Sequence, residues 1–288
     1  MKVVLFGASG FIGGQVRAAL ADDPRIGDVV CPGRDRHDLV ADDRAGLVEV
    51  LRDAAPDAVV SCVGALAGSA EDLVRANTLV AAKLLEAVAE AAPAARLIRL
   101  GSAGEYGVVP HGHAVTEDDR AEPVSAYGVS HLAATRLFAQ AGAVSLRVFN
   151  PIGAGQPAGT VLGRARQQIR EAMAAGRSEI TLGPLGAYRD FVDVQDVAAL
   201  VRAVVLAPEV PSRVYNAGSG RAVPVREAVR LLAERAGWDG VIHEAGAGPQ
   251  RSAAVDWIQA HLGRAQAELG WQPANDLAAS IKNVWAAA

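Results

Sequence analysis

The stretch Gly7-Ala8-Ser9-Gly10-Phe11-Ile12-Gly13 decides how the N-terminal half of this sequence is interpreted. It follows an apolar segment over residues 3–6, which predicts a buried strand, and it precedes a segment with helical periodicity. Glycines at such a strand-to-helix turn let backbone N–H groups approach a pyrophosphate at the positive end of the helix. The stretch therefore predicts a dinucleotide-binding turn, with contacts from Gly7, Ser9, Gly10, Phe11, Ile12 and Gly13.

Outward from this turn, short apolar segments alternate with amphipathic ones as far as residue 150. This βαβ alternation predicts a Rossmann-type doubly wound parallel sheet in an α/β fold. The predicted strands cover residues 2–6, 29–31, 58–63, 97–101 and 144–149. The predicted helices begin at Phe11 and Arg44 and cover residues 71–91 and 125–141.

Beyond residue 150 the pattern changes, because Gly and Pro clusters separate short segments. The segment 150–155 is predicted to be a loop, and the rest to form a small C-terminal α/β lobe. We expect a dinucleotide-binding Rossmann domain over residues 1–150, to which residues 188–216 also contribute. Residues 151–288 are expected to form mainly a substrate-binding lobe.

Composition narrows the class of protein. Of 288 residues, 51% are hydrophobic and 21% are charged, which excludes a disordered chain. A net charge of −4 without a basic run argues against nucleic acid or an anionic membrane as a partner. No apolar run reaches the roughly 18 residues that a membrane span needs. Two cysteines, Cys31 and Cys62, are too few for a disulfide framework or a zinc site, so we expect a cytoplasmic protein without a metal.

The end of the second predicted strand bears on the choice of cofactor. Cys31-Pro32-Gly33-Arg34 lies where the 2′ position of an adenosine ribose would be. An arginine there suits a 2′-phosphate, so Arg34 favours NADP(H). Asp35 or Asp38 could instead bond a 2′-hydroxyl, which leaves NAD(H) possible.

Three motifs resemble one family. The GxxGxxG spacing of residues 7–13 resembles that of the extended short-chain dehydrogenase/reductases. Gly101-Ser102-Ala103-Gly104-Glu105-Tyr106-Gly107 resembles the Ser-Ser-x-x-x-Tyr-Gly element of this family, and Ser125-Ala126-Tyr127-Gly128-Val129-Ser130-His131 resembles its Pro-Tyr-Gly-x-Ser-Lys helix start. The resemblance implies hydride transfer between a nicotinamide and a sugar carbon. Tyr127 would be the acid/base, and Ser102 would polarise the oxygen.

Two further matches concern the cofactor side. Cys62-Val63-Gly64-Ala65 resembles the turn of the same family that passes under the adenosine-side ribose. The resemblance implies that Cys62, Val63 and Gly64 contact the cofactor. Asn77 matches a structural asparagine of the family, although an asparagine on a helix surface would look the same in the sequence.

His131 departs from the family pattern, which is Tyr-x-x-x-Lys. The fourth residue after Tyr127 lies on the same helix face, so its charge would lower the pKa of the phenol and its nitrogen would bond the nicotinamide ribose. A histidine with a pKa near 6.5 is only about one-quarter protonated at pH 7. We expect His131 to act on Tyr127 as an imidazolium and the reductive rate to decline as it loses its proton.

The residues after Ser102 separate branches of the family. Sugar dehydratases carry Asp-Glu there, whereas this chain has Ala103 and Gly104, which cannot carry a proton. Dehydration is therefore disfavoured, and reduction or epimerisation of a keto group is left. Glu105 is expected to be a turn or surface carboxylate.

The C-terminal half resembles GDP-4-keto-6-deoxymannose reductases and their relatives. The segment 146–156, with Asn150, and the segment 183–198, with Arg189, match two of their elements. The resemblance implies that Asn150, Arg189 and a second arginine, Arg251, bind the diphosphate of a nucleotide-sugar. Ser102 would also contact this substrate.

The sequence thus predicts an NAD(P)(H)-dependent reductase of a nucleotide-linked keto-sugar or a related small ketone. Two alternatives stay open: a sugar-nucleotide epimerase that retains NAD(H), and a dinucleotide-binding sensor or scaffold without turnover. The resemblance also suggests a homodimer formed through helices 71–91 and 125–141.

Overall fold

The apolar segments of the N-terminal half form one parallel sheet. The computed structural model describes residues 1–248 and 254–286. Six strands lie side by side in it, and every pair of neighbours is parallel. In spatial order they are β2 (Asp28–Val30), β1 (Lys2–Phe6), β3 (Ala58–Ser61), β4 (Arg96–Ser102), β5 (Val144–Val148) and β9 (Val214–Ala217). The five strands predicted from the sequence end within two residues of their predicted bounds.

Helices cover both faces of this sheet, as a doubly wound fold requires. Buried side chains of β1, such as Val3 and Leu5, pack with α1 and α7 on one face. Val4 and Phe6 of the same strand pack with α2, α4 and α5 on the other. The helices concerned are α1 (Phe11–Ala21), α2 (Arg44–Ala54), α4 (Val80–Ala91), α5 (Ala126–Gln140) and α7 (Val194–Leu206). The prediction of an α/β fold with a Rossmann-type parallel sheet is confirmed.

The helix predicted over residues 71–91 is not regular. It consists of α3 (Ala70–Leu73), a π turn (Val74–Leu79) and α4. Asn77 lies in the π turn with only 3% of its surface exposed. A π turn inserts one extra residue into a helix, a local widening that recurs at functional sites.

The C-terminal part forms two small sheets with their own helices. The segment 150–155 was expected to be a loop; this holds for residues 153–155 but is wrong for 150–152, which form strand β6 and pair with β8 in parallel. Its partner lies about 40 residues away, so local sequence does not reveal the pairing. The strands are β6 (Asn150–Ile152), β7 (Glu179–Leu182), β8 (Tyr188–Asp193), β10 (Ala222–Pro224) and β11 (Val241–Glu244).

A separate apolar core holds this part together. Ile169, Leu232 and Ile281, each at most 2% exposed, contribute to it from three different helices. The helices that contribute to this core are α6 (Val161–Ala174), α8 (Val225–Ala236) and α10 (Leu277–Ala286), whereas α9 (Gly263–Leu269) packs through Ala265 with the core of the large sheet. Among the residues described here, no helix combines the length and apolar character needed to cross a membrane.

Candidate active site

The glycine-rich turn leaves the N-terminus of α1 open. Gly7 has a φ of +80°, a conformation that favours glycine. Gly10 is the N-cap and offers no side-chain bond, and the first turn contains no acidic residue. The first N–H groups of a helix have no partner within it, so they can bind an anion. The turn therefore fits a pyrophosphate.

Gly13 sets the distance between this helix and the turn. A Cβ built on Gly13 would lie 1.9 Å from the carbonyl oxygen of Gly7, which no real side chain tolerates. The next residue, Gly14, has no such restriction, because its Cβ would lie 3.7 Å from the nearest atom, the carbonyl oxygen of Ala8. Only the first of these two glycines is required by close packing.

The loop after β3 lies against the turn after β1. A Cβ built on Gly7 would be 3.0 Å from the carbonyl carbon of Cys62, and the N–H of Cys62 donates to the oxygen of Phe6 at 3.0 Å. In the sheet the strand order reverses between β1 and β3, the place where such folds bind ligands. Burial raises the pKa of Cys62 to about 12, so its thiol is not a nucleophile here. The predicted cofactor contacts on the two loops are thus adjacent.

Arg34 lies exposed in the loop after β2. No hydrogen bond or ion pair links it to any residue in the described part of the chain. Asp38, in contrast, accepts bonds from the N–H groups of Val40 and Ala41, at 2.8 and 3.3 Å, and these bonds lower the pKa of its carboxyl. Asp38 is therefore engaged in a turn, whereas the guanidinium of Arg34 remains available to a ligand.

Ser102 and Tyr127 border the same glycine. Ser102 ends β4, and its Oγ accepts a bond from the N–H of Gly104 at 3.0 Å, which leaves its own O–H able to donate. A Cβ built on Gly104 would lie 3.3 Å from this Oγ and 3.2 Å from Cε1 of Tyr127. A Cβ on Gly128 would lie 2.3 Å from the oxygen of Gly104, so both glycines allow α5 to approach the strand end.

Asn77 fixes the first turn of α5. Its Oδ1 accepts from the N–H of Ala65 at 2.8 Å, and its Nδ2 donates to Ser130 Oγ at 3.0 Å. Ser130 Oγ in turn donates to the carbonyl oxygen of Tyr127 at 2.8 Å. Asn77 therefore joins the loop after β3 to the helix that carries Tyr127. Of the two interpretations left open by the sequence, the structural one holds.

His131 lies beside Tyr127 as predicted, and its other neighbour is an arginine. The two rings are 4.6 Å apart between centroids, in an edge arrangement. Nδ1 of His131 lies 2.9 Å from an Nη of Arg99, and only 5% of the residue is exposed. Burial, and secondly the charge of Arg99, holds the pKa of His131 well below its ordinary value. These surroundings disfavour the imidazolium on which the predicted effect of His131 on Tyr127 depends, and the sequence does not show that Arg99 lies next to it.

Glu105 was expected to be a turn or surface carboxylate. It does lie in a turn, but it is fully buried, and its Oε2 pairs with Nε of Arg147 at 2.9 Å. Its Oε1 accepts from the N–H of Ser102 and from Thr135 Oγ1, both at 3.0 Å. The carboxylate therefore ties the end of β4 to α5 and β5.

A signal for this buried network is present in the sequence. Arg99 and Arg147 interrupt apolar segments that predict buried strands. Because a charge is almost never buried without a partner, such an arginine indicates an opposite charge or a polar group inside the fold. The partner itself cannot be identified in this way, since Glu105 lies in a turn.

Two of the three residues predicted to bind the diphosphate lie in the described part of the chain. Asn150 on β6 donates from Nδ2 to the carbonyl oxygen of Asp190 at 3.2 Å. Arg189 on β8 is half-buried, and one Nη donates to the carbonyl oxygen of Tyr188 at 2.8 Å. The two residues thus lie on paired strands. Arg251 lies outside the described residues.

An aromatic cluster next to Arg189 was not predicted. The ring of Trp257 lies 4.3 Å from that of His111 and 5.2 Å from that of Tyr188, measured between centroids. The indole N–H donates to the carbonyl oxygen of His113 at 2.8 Å. These rings come from three separate segments, so no local motif reveals them.

Comparison with known proteins identifies a matching family and similar proteins. Residues 3–218 match the model of the NAD dependent epimerase/dehydratase family. A dTDP-6-deoxy-L-talose 4-dehydrogenase (NAD(P)(+)) of Kitasatospora kifunensis is 35% identical over 303 residues, which cover 99% of this chain and 95% of that protein. A GDP-6-deoxy-D-mannose reductase of Pseudomonas aeruginosa is 32% identical over 250 residues, which cover 81% and 79% of the two chains.

A solved structure agrees with the sequence relatives. The structure of RMD from Pseudomonas aeruginosa complexed with NADPH superimposes with a TM-score of 0.85 and 27% identity. The match covers 99% of this chain and 97% of that one. The similarity therefore extends over both the parallel sheet and the smaller sheets.

Proposed function

This chain belongs to the NAD dependent epimerase/dehydratase family, and from that premise we propose that it reduces the 4-keto group of a nucleoside-diphosphate-linked 6-deoxy sugar. The proposal rests chiefly on one observation: Ser102 and Tyr127 meet at Gly104, at the carboxyl end of a parallel strand. The sequence relatives support the substrate class, because both act on nucleotide-linked 6-deoxy sugars according to their names.

The first loops of the sheet would hold the cofactor. Gly7, Ser9, Gly10, Phe11, Ile12 and Gly13 would surround its pyrophosphate, and Cys62, Val63 and Gly64 would lie under its adenosine-side ribose. When bound, a reduced nicotinamide dinucleotide supplies the hydride that is added to the carbonyl carbon. Tyr127 and His131 would contact the nicotinamide side, since Tyr127 meets Ser102 at Gly104 and the ring of His131 is 4.6 Å from that of Tyr127.

The side chains of Ser102 and Tyr127 would handle the carbonyl oxygen. Ser102 donates its O–H to this oxygen, because its lone pairs already accept from the N–H of Gly104. Tyr127 transfers its phenolic proton to the same oxygen as the carbon receives the hydride, so the product is a hydroxyl group. The phenolate then regains a proton from water. These residues would not catalyse elimination of water from the sugar, because Ala103 and Gly104 offer no second acid or base.

NADP(H) is the preferred cofactor in this proposal. Arg34 has no hydrogen bond or ion pair to another described residue and can contact a 2′-phosphate. Asp38, the rival for a 2′-hydroxyl, accepts two backbone bonds instead. The carboxylate of Asp35 lies over Gly33, so NAD(H) is the alternative to be tested.

Asn150 and Arg189 would bind the diphosphate of the substrate. They lie on the paired strands β6 and β8, and Arg189 can form bidentate bonds with phosphate oxygens. Arg251 is proposed as the second arginine on sequence grounds alone. Division into a cofactor-binding domain over residues 1–150 and a substrate lobe over 151–288 follows from the same assignment.

We also propose a homodimer located in the cytoplasm. Large apolar side chains are exposed on the π turn and on α5, the elements through which a dimer is expected: Val74, Leu79, Val129 and Leu137. A second copy would cover them. Both cysteines are unpaired, as suits a reducing compartment. Light scattering that gives the mass of one chain would contradict the dimer.

Turnover tests the proposal directly. Purified protein is mixed with NADPH and a dTDP- or GDP-linked 4-keto-6-deoxyhexose, and one NADPH should be consumed for each sugar reduced. Tyr127→Phe should lower kcat by roughly 100- to 10,000-fold and change the Kd for NADPH far less, because the ring stays and only the proton donor is lost. Tyr215→Phe is the matched control, since its phenol bonds Glu268 at 2.6 Å, away from the site.

Other outcomes identify the alternatives. Cofactor that survives purification, with interconversion of sugars and no net oxidation, would establish an epimerase. Cofactor binding without turnover of any keto-sugar would establish a sensor or scaffold.

A further inference from the structure

Arg99 is a buried cation that the reaction described above does not use. It lies in the middle of β4, and only 4% of it is exposed. One Nη donates to Thr135 Oγ1 at 3.0 Å, and the other lies 2.9 Å from Nδ1 of His131. Its guanidinium carbon is 5.7 Å from the ring centroid of Phe138. Three side chains of α5 thus contact this one arginine of β4 and hold it against the ring next to Tyr127.

This contact fixes the protonation of His131. A guanidinium has five donors and no acceptor, so Nδ1 of His131 must accept the bond and carry no proton. A neutral ring then bears its proton on Nε2, and an imidazolium would set one N–H against another. Cε1, which is bonded to both nitrogens, is the ring atom nearest to Gly64. The Nε2–H donor therefore adjoins the loop over residues 62–64.

We propose that Arg99 is a positioning residue of the active site: it holds His131 as a neutral Nε2–H donor and places a permanent positive charge behind Tyr127. This assignment of roles rests on the proposed function. His131 supplies the hydrogen bond toward the cofactor side, while Arg99 supplies the charge that a neutral histidine lacks. The two residues together provide what one lysine at position 131 would provide.

The charge of Arg99 acts on Glu105 as well as on Tyr127, and Thr135 Oγ1 links the two ions by accepting from Arg99 and donating to Glu105. The one carboxylate of this network, Glu105, is already paired with Arg147 at 2.9 Å. The π turn and the loop after β3 contribute Asn77 and Gly64, which do not titrate. The titratable and charged groups around His131 are Arg99 from β4, Glu105 from the turn after β4, Tyr127 from α5 and, behind Glu105, Arg147 from β5.

The ring nitrogens of His131 can be observed directly by ¹⁵N NMR of histidine-labelled protein. The signal is assigned by its loss in His131→Gln. In the wild type we expect an unprotonated Nδ1 and a protonated Nε2 throughout pH 6 to 8. A protonated Nδ1, or a titration within this range, would overturn the proposal without any variant of Arg99.

Two substitutions of Arg99 sharpen the test. Arg99→Met keeps an apolar stem but removes the charge and the donors, so the Nε2–H tautomer should no longer be fixed and the pKa of His131 should rise. The Kd for NADPH should increase about 3- to 10-fold, the effect of one misdirected hydrogen bond. Arg99→Lys restores a donor and a charge and should recover most of both properties.

Arg96→Met is the matched control on the same strand. Its guanidinium donates to the carbonyl oxygens of Val204, Val205 and Ala207, at the opposite end of β4. This variant should leave the His131 signals and the Kd for NADPH unchanged. If it moved both as much as Arg99→Met does, the role of Arg99 would be merely structural and the proposal would fail.

The NMR and binding measurements need no substrate, which separates the two proposals. A fixed Nε2–H tautomer that depends on Arg99, in a protein that reduces no keto-sugar, would support this inference and reject the proposed reaction. Turnover of a keto-sugar by a protein whose His131 titrates between pH 6 and 8 would support the proposed reaction and reject this inference.

Discussion

The glycine-rich turn over residues 7–13 and the buried network behind Ser102 border the same edge of the sheet, but they are built differently. The turn offers backbone N–H groups, and its geometry depends on the lack of side chains at Gly7 and Gly13. The network depends on long side chains, of which Glu105 and Arg147 form its ion pair. The turn therefore depends on the space left where side chains are absent, and the network depends on the pairing of opposite charges.

This difference has energetic consequences. A turn built from backbone groups is sensitive to added atoms, because a Cβ on Gly7 or Gly13 meets neighbouring backbone. A buried ion pair is sensitive to removal of one partner, because the remaining charge stays in a medium of low dielectric constant. Substitutions at the two ends should therefore change different properties, either cofactor binding or stability. The effects should also differ in magnitude.

The largest effect is expected from Glu105→Gln. The substitution conserves size but leaves Arg147 buried without its counter-charge, so the free energy of unfolding should fall by about 3 to 5 kcal/mol in urea titrations. Glu86→Gln is the control, because Glu86 pairs with Arg44 on the surface, and its loss should change stability little. Equal stability of the two variants would show that the network does not support the reacting end.

A smaller effect, confined to the nucleotide end, is expected from Arg34→Ala. The ratio of the Michaelis constants for NADPH and NADH should rise roughly 10- to 100-fold, since one charge-assisted contact with the 2′-phosphate is lost. Arg36→Ala serves as the control, because Arg36 pairs with Asp53 at 3.0 Å. An unchanged ratio in Arg34→Ala would favour NAD(H) and Asp35.

The smallest effect is expected from added methyl groups on α1. Gly13→Ala forces the helix away from Gly7 and should lower the free energy of unfolding by about 1 to 3 kcal/mol, with weaker cofactor binding. Gly14→Ala adds the same atoms where contacts are ordinary, so it should be neutral or raise stability by up to about 1 kcal/mol. If both variants behaved alike, close packing at Gly13 would not be what defines the turn.

The two ends also differ in how far the sequence predicts them. The turn is local, and its strand, glycines and helix are consecutive, so periodicity and glycine spacing were sufficient. The place of Ser102 at the ligand-binding edge was predictable too, because it ends a parallel strand, whereas its pairing with Tyr127 was implied by the family resemblance of residues 101–107 and 125–131. The contact of Arg99 with His131 joins residues 32 positions apart, and no pattern of either segment specifies it. Strand β6 was missed for the same reason.

The central claim, that this chain transfers hydride to a nucleotide-linked keto-sugar, is tested most directly with isotope. NADPH carrying two deuterium atoms at C4 of the nicotinamide delivers deuterium from either face. Mass spectrometry of the reduced sugar nucleotide should show one deuterium per product molecule with the wild type and almost no product with Tyr127→Phe. An unlabelled product, or no product while NADPH still binds, would contradict the claim.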